Sequence, residues 1–134
     1  EYCSTNDVDI LIIDQLDKIN VEGKYNATHE KLREVYRQAR ELAKRHNILV
    51  IGMSQASAEA QGRSRVTFSV MENSKTGKSA EADVILGLGK EDEIENYLDD
   101  CIRFVTLSKN KLTGDHAEFE VILRPTISRY AERN

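Results

Sequence analysis

Two continuous apolar runs dominate the hydrophobic pattern of this chain, and polar residues follow each of them at once. The first run covers residues 10–13 and is followed by Asp14, and the second covers residues 48–53 and is followed by Ser54 and Gln55. Continuous apolar runs of this length are typical of β-strands buried on both faces. Polar residues at the carboxyl ends of such strands project into the crevice where open α/β sheets bind ligands. The pattern therefore predicts a ligand site at this edge.

The segment between the two runs has a helical pattern. The pattern predicts a loop at residues 17–27 and then a helix from about residue 29 to 46. Thr28 can cap this helix at its start, and Asn47 ends it. The inward positions recur at helical spacing: Leu32, Val35, Tyr36, Ala39, Leu42, Ala43 and His46. Strand, helix and strand together predict a parallel crossover unit.

The middle of the chain is less regular. Residues 56–78 lose hydrophobic period and are rich in Ser, Gly, Arg, Asn and Lys, which predicts a long, mobile connection. Residues 79–83 predict a short helical turn that leads into a third buried strand at 84–88. The acidic residues 91–100 predict a solvated loop or an exposed helix.

Two β-rich runs follow at residues 102–108 and 117–123, and residues 109–116 separate them. This pattern predicts an antiparallel hairpin, and Gly114 after Thr113 supports a tight turn between its strands. The whole pattern therefore predicts an α/β fold, with a mostly parallel sheet flanked by helices and extended by a carboxyl-terminal hairpin.

Composition narrows the class of protein. The 134 residues suit one domain, 31% of them are charged, and no run is long enough to span a membrane. Cys3 and Cys101 lie far apart without metal-ligand spacing, which predicts reduced thiols in a cytosolic protein, and the three histidines show no ligand spacing either. The net charge of −4 argues against broad affinity for nucleic acid but leaves room for a local basic loop.

One phosphate-binding motif is incomplete. The Gly77-Lys78-Ser79 sequence matches the end of a phosphate-binding loop, but Glu72 occupies the position where that loop needs its first glycine. A Gly-rich turn leading directly from a strand into a helix is also missing here. If the chain belongs to an ATP-driven motor, we expect its phosphate-binding loop upstream of Glu1.

The order of the motifs resembles a known family. The motifs are LIIDQLDKI, ILVIGMSQ, a basic loop, SAEADVILGL and RFVTLSKNKLTGDHAEFEVILRP. From about Asp7 to Tyr130 they resemble the carboxyl-terminal half of the motor domain of DnaB-type hexameric replicative DNA helicases, including phage relatives. The resemblance implies that residues 1–134 are part of a RecA-like P-loop NTPase core, from the Walker B strand onward. It also implies an ATP-dependent helicase in the cytoplasm of a bacterium or phage-infected cell, with this segment inactive alone.

The resemblance assigns roles to residues near the nucleotide. Asp14 corresponds to the Walker B acid, which holds a water of the Mg²⁺ that accompanies ATP, and Gln55 corresponds to the sensor of the γ-phosphate. Lys109 and Lys111 occupy a Lys-x-Arg pair that reaches the neighbouring subunit's nucleotide site, with lysine here at the arginine position. Each role has an alternative. Asp14 can be a helix or turn cap at the end of a strand, and Gln55 can simply satisfy backbone groups there. The two lysines can belong to a plain hairpin tip at the surface. Asp83 also matches an acid of the family, and we interpret it as structural.

The resemblance also makes the loop after Gln55 a DNA-binding loop. Its cations would contact the phosphates of single-stranded DNA: Arg63, Arg65, Lys75 and Lys78. The acids Glu59 and Glu72 partly offset them, and Phe68 is the loop's single aromatic residue. A merely solvated loop is the alternative.

The implied cofactors are ATP and Mg²⁺. The implied partners are single-stranded DNA, further copies in a ring that we expect to be a hexamer, and primase, with no membrane. Two other classes stay open. One is a RecA-type recombinase, which shares the Walker B strand and a DNA loop. The other is a complete protein that binds DNA or a helicase subunit without hydrolysing anything. The Ser-Gln strand end and the KNKLTG turn favour the helicase.

Overall fold

The computed structural model describes residues 2–23, 25, 28–71, 78–92 and 100–133. The helices are α1 (Tyr2–Thr5), α2 (Thr28–His46), α3 (Phe68–Met71) and α4 (Lys78–Glu81). The strands are β1 (Ile10–Ile13), β2 (Leu49–Gly52), β3 (Val84–Gly89), β4 (Ile102–Asn110), β5 (Glu118–Arg124) and β6 (Arg129–Glu132). Short 3-10 turns occupy Leu16–Lys18, Ala58–Ala60 and Pro125–Ile127. No helix in these ranges is long and apolar enough to cross a membrane.

The chain divides into two compact units. The first consists of Glu1–Gln55 and Ser74–Ala82, and the second consists of Ala56–Asn73 and Asp83–Asn134. Both cysteines are free thiols, and Cys101 is buried. The predicted acidic segment at 91–100 falls largely outside the described residues.

The first unit contains the predicted crossover. Strands β1 and β2 pair in parallel, from Ile10 opposite Leu49 to Ile13 opposite Gly52, and α2 connects them. Asn47 ends α2 in the left-handed conformation, with φ of 53°. Asparagine tolerates that conformation better than most residues because its short polar side chain can hydrogen-bond locally. The strand, helix and strand predictions are therefore confirmed.

The prediction that both faces of these strands are buried is wrong for this chain. Ile10 and Ile12 are 53% and 61% exposed, and Leu49 is 56% exposed, whereas the alternate residues Leu11 and Ile13 are half-buried. The reason is that side chains alternate across a strand and that α2 packs against one side of β2. The other face is apolar and exposed.

The second unit is a four-stranded antiparallel sheet in the order β3, β4, β5, β6. The predicted hairpin is confirmed, with Ile102 opposite Ile122. Strand β4 continues through Asn110, so Lys109 lies in a strand rather than in the loop, and the sequence did not predict β6. Among the described strands, parallel pairing is confined to β1 and β2, so these strands do not form the expected mostly parallel sheet. Strand β3 pairs with β4 in antiparallel register instead.

The described part of the basic loop packs against the glycines of β3. A Cβ atom on Gly87 would lie 1.9 Å from the carbonyl oxygen of Val66, and one on Gly89 would lie 2.1 Å from that of Ser64. Val66 is buried with Ala60 and Val70 in one hydrophobic cluster. Residues 63–66 therefore pack against β3, because Gly87 and Gly89 leave two positions on one face of that strand without side chains.

Candidate functional site

The carboxyl edge of the parallel strands brings together the two polar positions that end the apolar runs. Ile13 pairs with Gly52, so Asp14 and Met53 are the next residues along the two strands. The Met53 N–H donates to the Ile13 carbonyl at 3.0 Å, and the Leu16 N–H donates to the Met53 carbonyl at 2.9 Å. Asp14 is exposed at this edge.

The chain turns sharply after Asp14. Gln15 has φ of 63° and ψ of 70°, the left-handed conformation, which costs a non-glycine residue about 1 to 2 kcal/mol. The turn buries Leu16, which is 4% exposed, against Gly52. A Cβ on Gly52 would lie 2.8 Å from Leu16 Cδ2. The turn after β1 and the end of β2 are therefore closely packed.

Asp17 links this turn to the end of β2 and to α2. Its Oδ2 accepts a hydrogen bond from the Ser54 hydroxyl at 2.7 Å, and its Oδ1 accepts one from the Tyr36 hydroxyl at 2.7 Å. Burial, reinforced by the Asp17 carboxylate, raises the pKa of Tyr36 well above its ordinary value. Tyr36 therefore remains a neutral donor over the physiological pH range.

The sequence reasoning did not predict this network. Three signals were available: Tyr36 lies on the inward face of α2, Asp17 follows Asp14 by three residues, and Ser54 directly precedes Gln55. None of them gives the pairing of a carboxylate with two hydroxyls, because that depends on the left-handed turn at Gln15.

The edge suits a magnesium ion that is bound mainly by other groups. Among the described residues no cluster of three or more His, Cys, Asp or Glu side chains could hold a metal ion. Mg²⁺ keeps most of its waters and typically needs one or two protein carboxylates together with substrate phosphates. The exposed Asp14 carboxylate fits that role, and the exposed Gln55 amide can donate to a phosphate oxygen.

The arginines of the basic loop are exposed, and one has an ion-pair partner. Arg63 and Arg65 are exposed, whereas Ser64 is half-buried and Val66 is buried. Arg65 Nε donates to Glu118 Oε2 at 2.5 Å, a contact that the sequence did not predict. An open cleft of about 620 Å³ adjoins them, lined by Gly62, Arg63, Ser64, Arg65, Thr67, Val70, Glu91 and Asp92.

The other two predicted DNA contacts are less defined. Lys75 lies outside the described residues, and Lys78 begins α4, with only its backbone described. The structure therefore describes Arg63 and Arg65 on one segment, and all four DNA contacts stay predictions.

The turn after β4 presents Lys111. Its backbone N–H donates to the Asp83 carbonyl at 2.9 Å, and its Nζ lies 3.8 Å from Asp83 Oδ1. Asp83 thus contacts this turn through both its backbone and its side chain, which is consistent with a structural role. Lys109 is half-buried within β4.

Asn110 shapes the same turn. Its Oδ1 accepts from the backbone N–H groups of Leu112 at 3.0 Å and Thr113 at 3.3 Å, and its carbonyl accepts from the Gly114 N–H at 3.0 Å. Gly114 has φ of 80°, a conformation that suits glycine. The turn therefore holds Lys111 at an exposed and locally ordered position.

The strand, helix and strand unit with an acid and an amide at its edge is consistent with a domain of the RecA-like class. Residues 1–132 match the family model for the DnaB-like helicase C terminal domain, and the chain belongs to this family. No curated protein sequence matches the chain significantly.

Two solved structures have a similar fold. One is described as an "ATPase Domain", with a TM-score of 0.79, 19% identity, and coverage of 93% of this chain and 44% of that one. The other is described as "The Structure Of A DnaB-Like Replicative Helicase And Its Interactions With Primase", with a TM-score of 0.78, 19% identity, and coverage of 93% and 30%. The chain therefore spans less than half the length of either.

Proposed function

We propose that this chain is the part of an ATP-dependent replicative DNA helicase that runs from the Walker B strand through the subunit-contacting hairpin of its motor domain. One observation carries the proposal: in a chain of the DnaB-like family, parallel pairing of β1 and β2 puts Asp14 and the Ser54-Gln55 pair at one edge. An acid and a phosphate-sensing amide are the groups that nucleotide hydrolysis requires there.

In this proposal the edge residues act on ATP. Asp14 would hold the magnesium ion through a water, and Gln55 would donate its amide N–H to the γ-phosphate. Mg²⁺, when bound, neutralises charge on the phosphates. Gln55 directly precedes the basic loop, so a change in its contact with phosphate reaches the loop through a single peptide link. That proximity supports coupling between hydrolysis and movement on DNA.

Lys111, with Lys109 behind it in β4, completes the nucleotide site of a neighbouring subunit in a ring that we infer to be a hexamer. An exposed cation at an ordered turn supports this role, because it can reach another chain at little cost to its own fold. Lysine supplies a point charge rather than the fork of arginine, so we infer weaker stabilisation of the transferred phosphoryl group than arginine would give.

The basic loop provides the contact with single-stranded DNA. Arg63 and Arg65 contact backbone phosphates, and Lys75 and Lys78 add charge, which gives a grip independent of base sequence. Primase is a further proposed partner, because one relative of similar fold is described with it. The proposed location is the cytoplasm, where replication takes place.

The test is ATP hydrolysis by the full-length protein, with and without single-stranded DNA. We expect DNA to stimulate hydrolysis and Asp14→Asn to reduce it by about 100-fold or more, since the carboxylate that would position the metal's water is lost. Asp7→Asn, the same change at an exposed position before β1, is the matched control and should match the wild type. Hydrolysis by Asp14→Asn at the wild-type rate, or a wild type that DNA does not stimulate, would overturn the proposal.

A further inference from the structure

Asp17 is the point where three segments of the first unit meet. It lies in the turn after β1, accepts from Ser54 after β2 through Oδ2, and accepts from Tyr36 in the middle of α2 through Oδ1. All three residues are half-buried. Hydrogen bonds to a charged group are the stronger kind, and partial burial limits competition from water. The carboxylate is therefore a fixed anchor rather than a mobile surface group.

The hydrogen bond between Ser54 and Asp17 constrains the chain one residue further after β2 than the backbone hydrogen bonds do. Backbone hydrogen bonds tie Met53 to both Ile13 and Leu16. The Ser54 hydroxyl, one residue later, donates to Asp17, and its oxygen also lies 3.4 Å from the Gln55 carbonyl oxygen. The contact of Ser54 with Asp17 thus fixes the peptide from which the Gln55 side chain departs.

We propose that Asp17 is a positioning residue that holds the Ser54-Gln55 peptide in register with Asp14, with Tyr36 setting the orientation of the Asp17 carboxylate. The inference rests on the proposed function, because Gln55 has a phosphate to sense only if the edge binds ATP. Asp17 is three residues beyond Asp14 and at the far side of a left-handed turn, so it acts through Ser54 rather than on the substrate.

A positioning role and a merely structural role predict different kinetics. A structural role lowers the amount of folded protein and leaves the rate per folded molecule unchanged. A positioning role lowers kcat with little change in KM for ATP, because misplacing Gln55 weakens contacts made as the phosphoryl group is transferred. It also makes Asp17 and Ser54 non-additive, since both act through one hydrogen bond.

The first measurement follows hydrogen exchange at the Leu16 and Met53 amides in the full-length protein. Both donate across the edge, so they report its local opening. We expect Ser54→Ala to speed exchange there by about tenfold or more, the scale of one lost hydrogen bond to a charged group, and Asp17→Ala, which loses two such bonds, by at least as much. Tyr36→Phe should give a smaller increase. Tyr25→Phe, which removes the hydroxyl bond to the Glu22 carbonyl, should give none.

The second measurement is steady-state ATP hydrolysis by the same variants, normalised to folded protein. We expect Asp17→Ala to lower kcat by roughly tenfold to a hundredfold with KM within about twofold. Asp17→Asn, which keeps the shape and one acceptor oxygen, should recover part of the loss. The Asp17→Ala, Ser54→Ala double variant should be no slower than the slower single variant.

Unchanged exchange at Leu16 and Met53 in Asp17→Ala would overturn the proposal, and so would independent, multiplying losses of kcat in the double variant. A wild-type protein that fails to hydrolyse ATP would overturn the helicase assignment instead. Hydrogen exchange would still decide in that case whether Asp17 holds the end of β2.

Discussion

Arg65 Nε donates to Glu118 Oε2 at 2.5 Å, so one of the predicted DNA-binding cations is already paired with a carboxylate on β5. The side chains of Arg65 and Glu118 are 71% and 31% exposed. Exposed ion pairs contribute about 0 to 1 kcal/mol, so a DNA phosphate can displace Glu118 at small cost. In the proposed complex with DNA, Glu118 competes with a DNA phosphate for Arg65.

This competition predicts that Glu118→Gln strengthens binding of single-stranded DNA. We expect the dissociation constant to fall by roughly two- to fivefold, the value of one exposed pair. Glu120→Gln makes the same charge change at a residue that pairs with Arg133 instead, so it separates release of Arg65 from net charge. Fluorescence anisotropy with a labelled oligonucleotide measures both. Equal effects of the two variants would show that Arg65 does not gain a phosphate contact.

The salt dependence of DNA binding tests the arginines themselves. Arg63→Ala should weaken binding and flatten the log-log slope against salt by roughly 0.7, and the Arg63→Ala, Arg65→Ala double variant should lose roughly twice that. Affinity for ATP without DNA should stay nearly constant. An unaltered slope in the double variant would show that this segment does not contact DNA phosphates.

Because residues 63–66 pack against β3, we expect Gly87→Ala to lower the stability of the protein. The new Cβ would meet the Val66 carbonyl oxygen, which belongs to backbone and cannot rotate away. We expect a loss of about 1 to 3 kcal/mol in the free energy of unfolding, together with weaker DNA binding. Leu88→Ala on the exposed face of the same strand should cost much less, because Leu88 is 52% exposed. Urea denaturation compares the two, and equal stability of Gly87→Ala and wild type would contradict this packing.

The sequence predicted the local elements of this fold but not the contacts between distant segments, such as those at the glycines of β3. Periodicity predicted α2, the parallel pair and the hairpin, because each is set by local spacing of apolar residues. The packing of residues 64–66 against β3 depends on a close approach between two backbone segments. The only sign of it in the sequence was the spacing of Gly87 and Gly89, two positions apart. Asp14 and Gln55 were predicted from strand ends. Asp17 and Glu118 were not, because their partners lie 37 and 53 residues away in sequence.

The proposed role of Lys111 at a neighbouring subunit's nucleotide site can be tested by substitution. Lys111→Ala should lower ATP hydrolysis by the assembled protein by about 10³-fold or somewhat less, since lysine makes a single-point contact. Lys111→Arg should retain or raise the rate, because a guanidinium can bind two phosphate oxygens. Lys44→Ala at the exposed end of α2 is the matched control. Full activity of Lys111→Ala would remove the residue from the site.

Mixed assemblies test whether Lys111 acts between subunits. Asp14→Ala subunits keep Lys111, and Lys111→Ala subunits keep Asp14, so a mixture contains some interfaces with both groups intact. We expect partial ATP hydrolysis to return in mixtures, with neither variant active alone. If native gels show mixed assemblies that stay inactive, Lys111 does not complete a neighbour's site.

Strand separation tests the central claim most directly. The full-length protein is given a forked DNA duplex with one labelled strand, and release of that strand is followed with and without ATP. We expect ATP-dependent release by the wild type and by Asp7→Asn, and none by Asp14→Asn, because the motor needs the acid at the end of β1. Release that is independent of ATP, release by Asp14→Asn at the wild-type rate, or no release by the wild type would contradict the assignment as a replicative helicase.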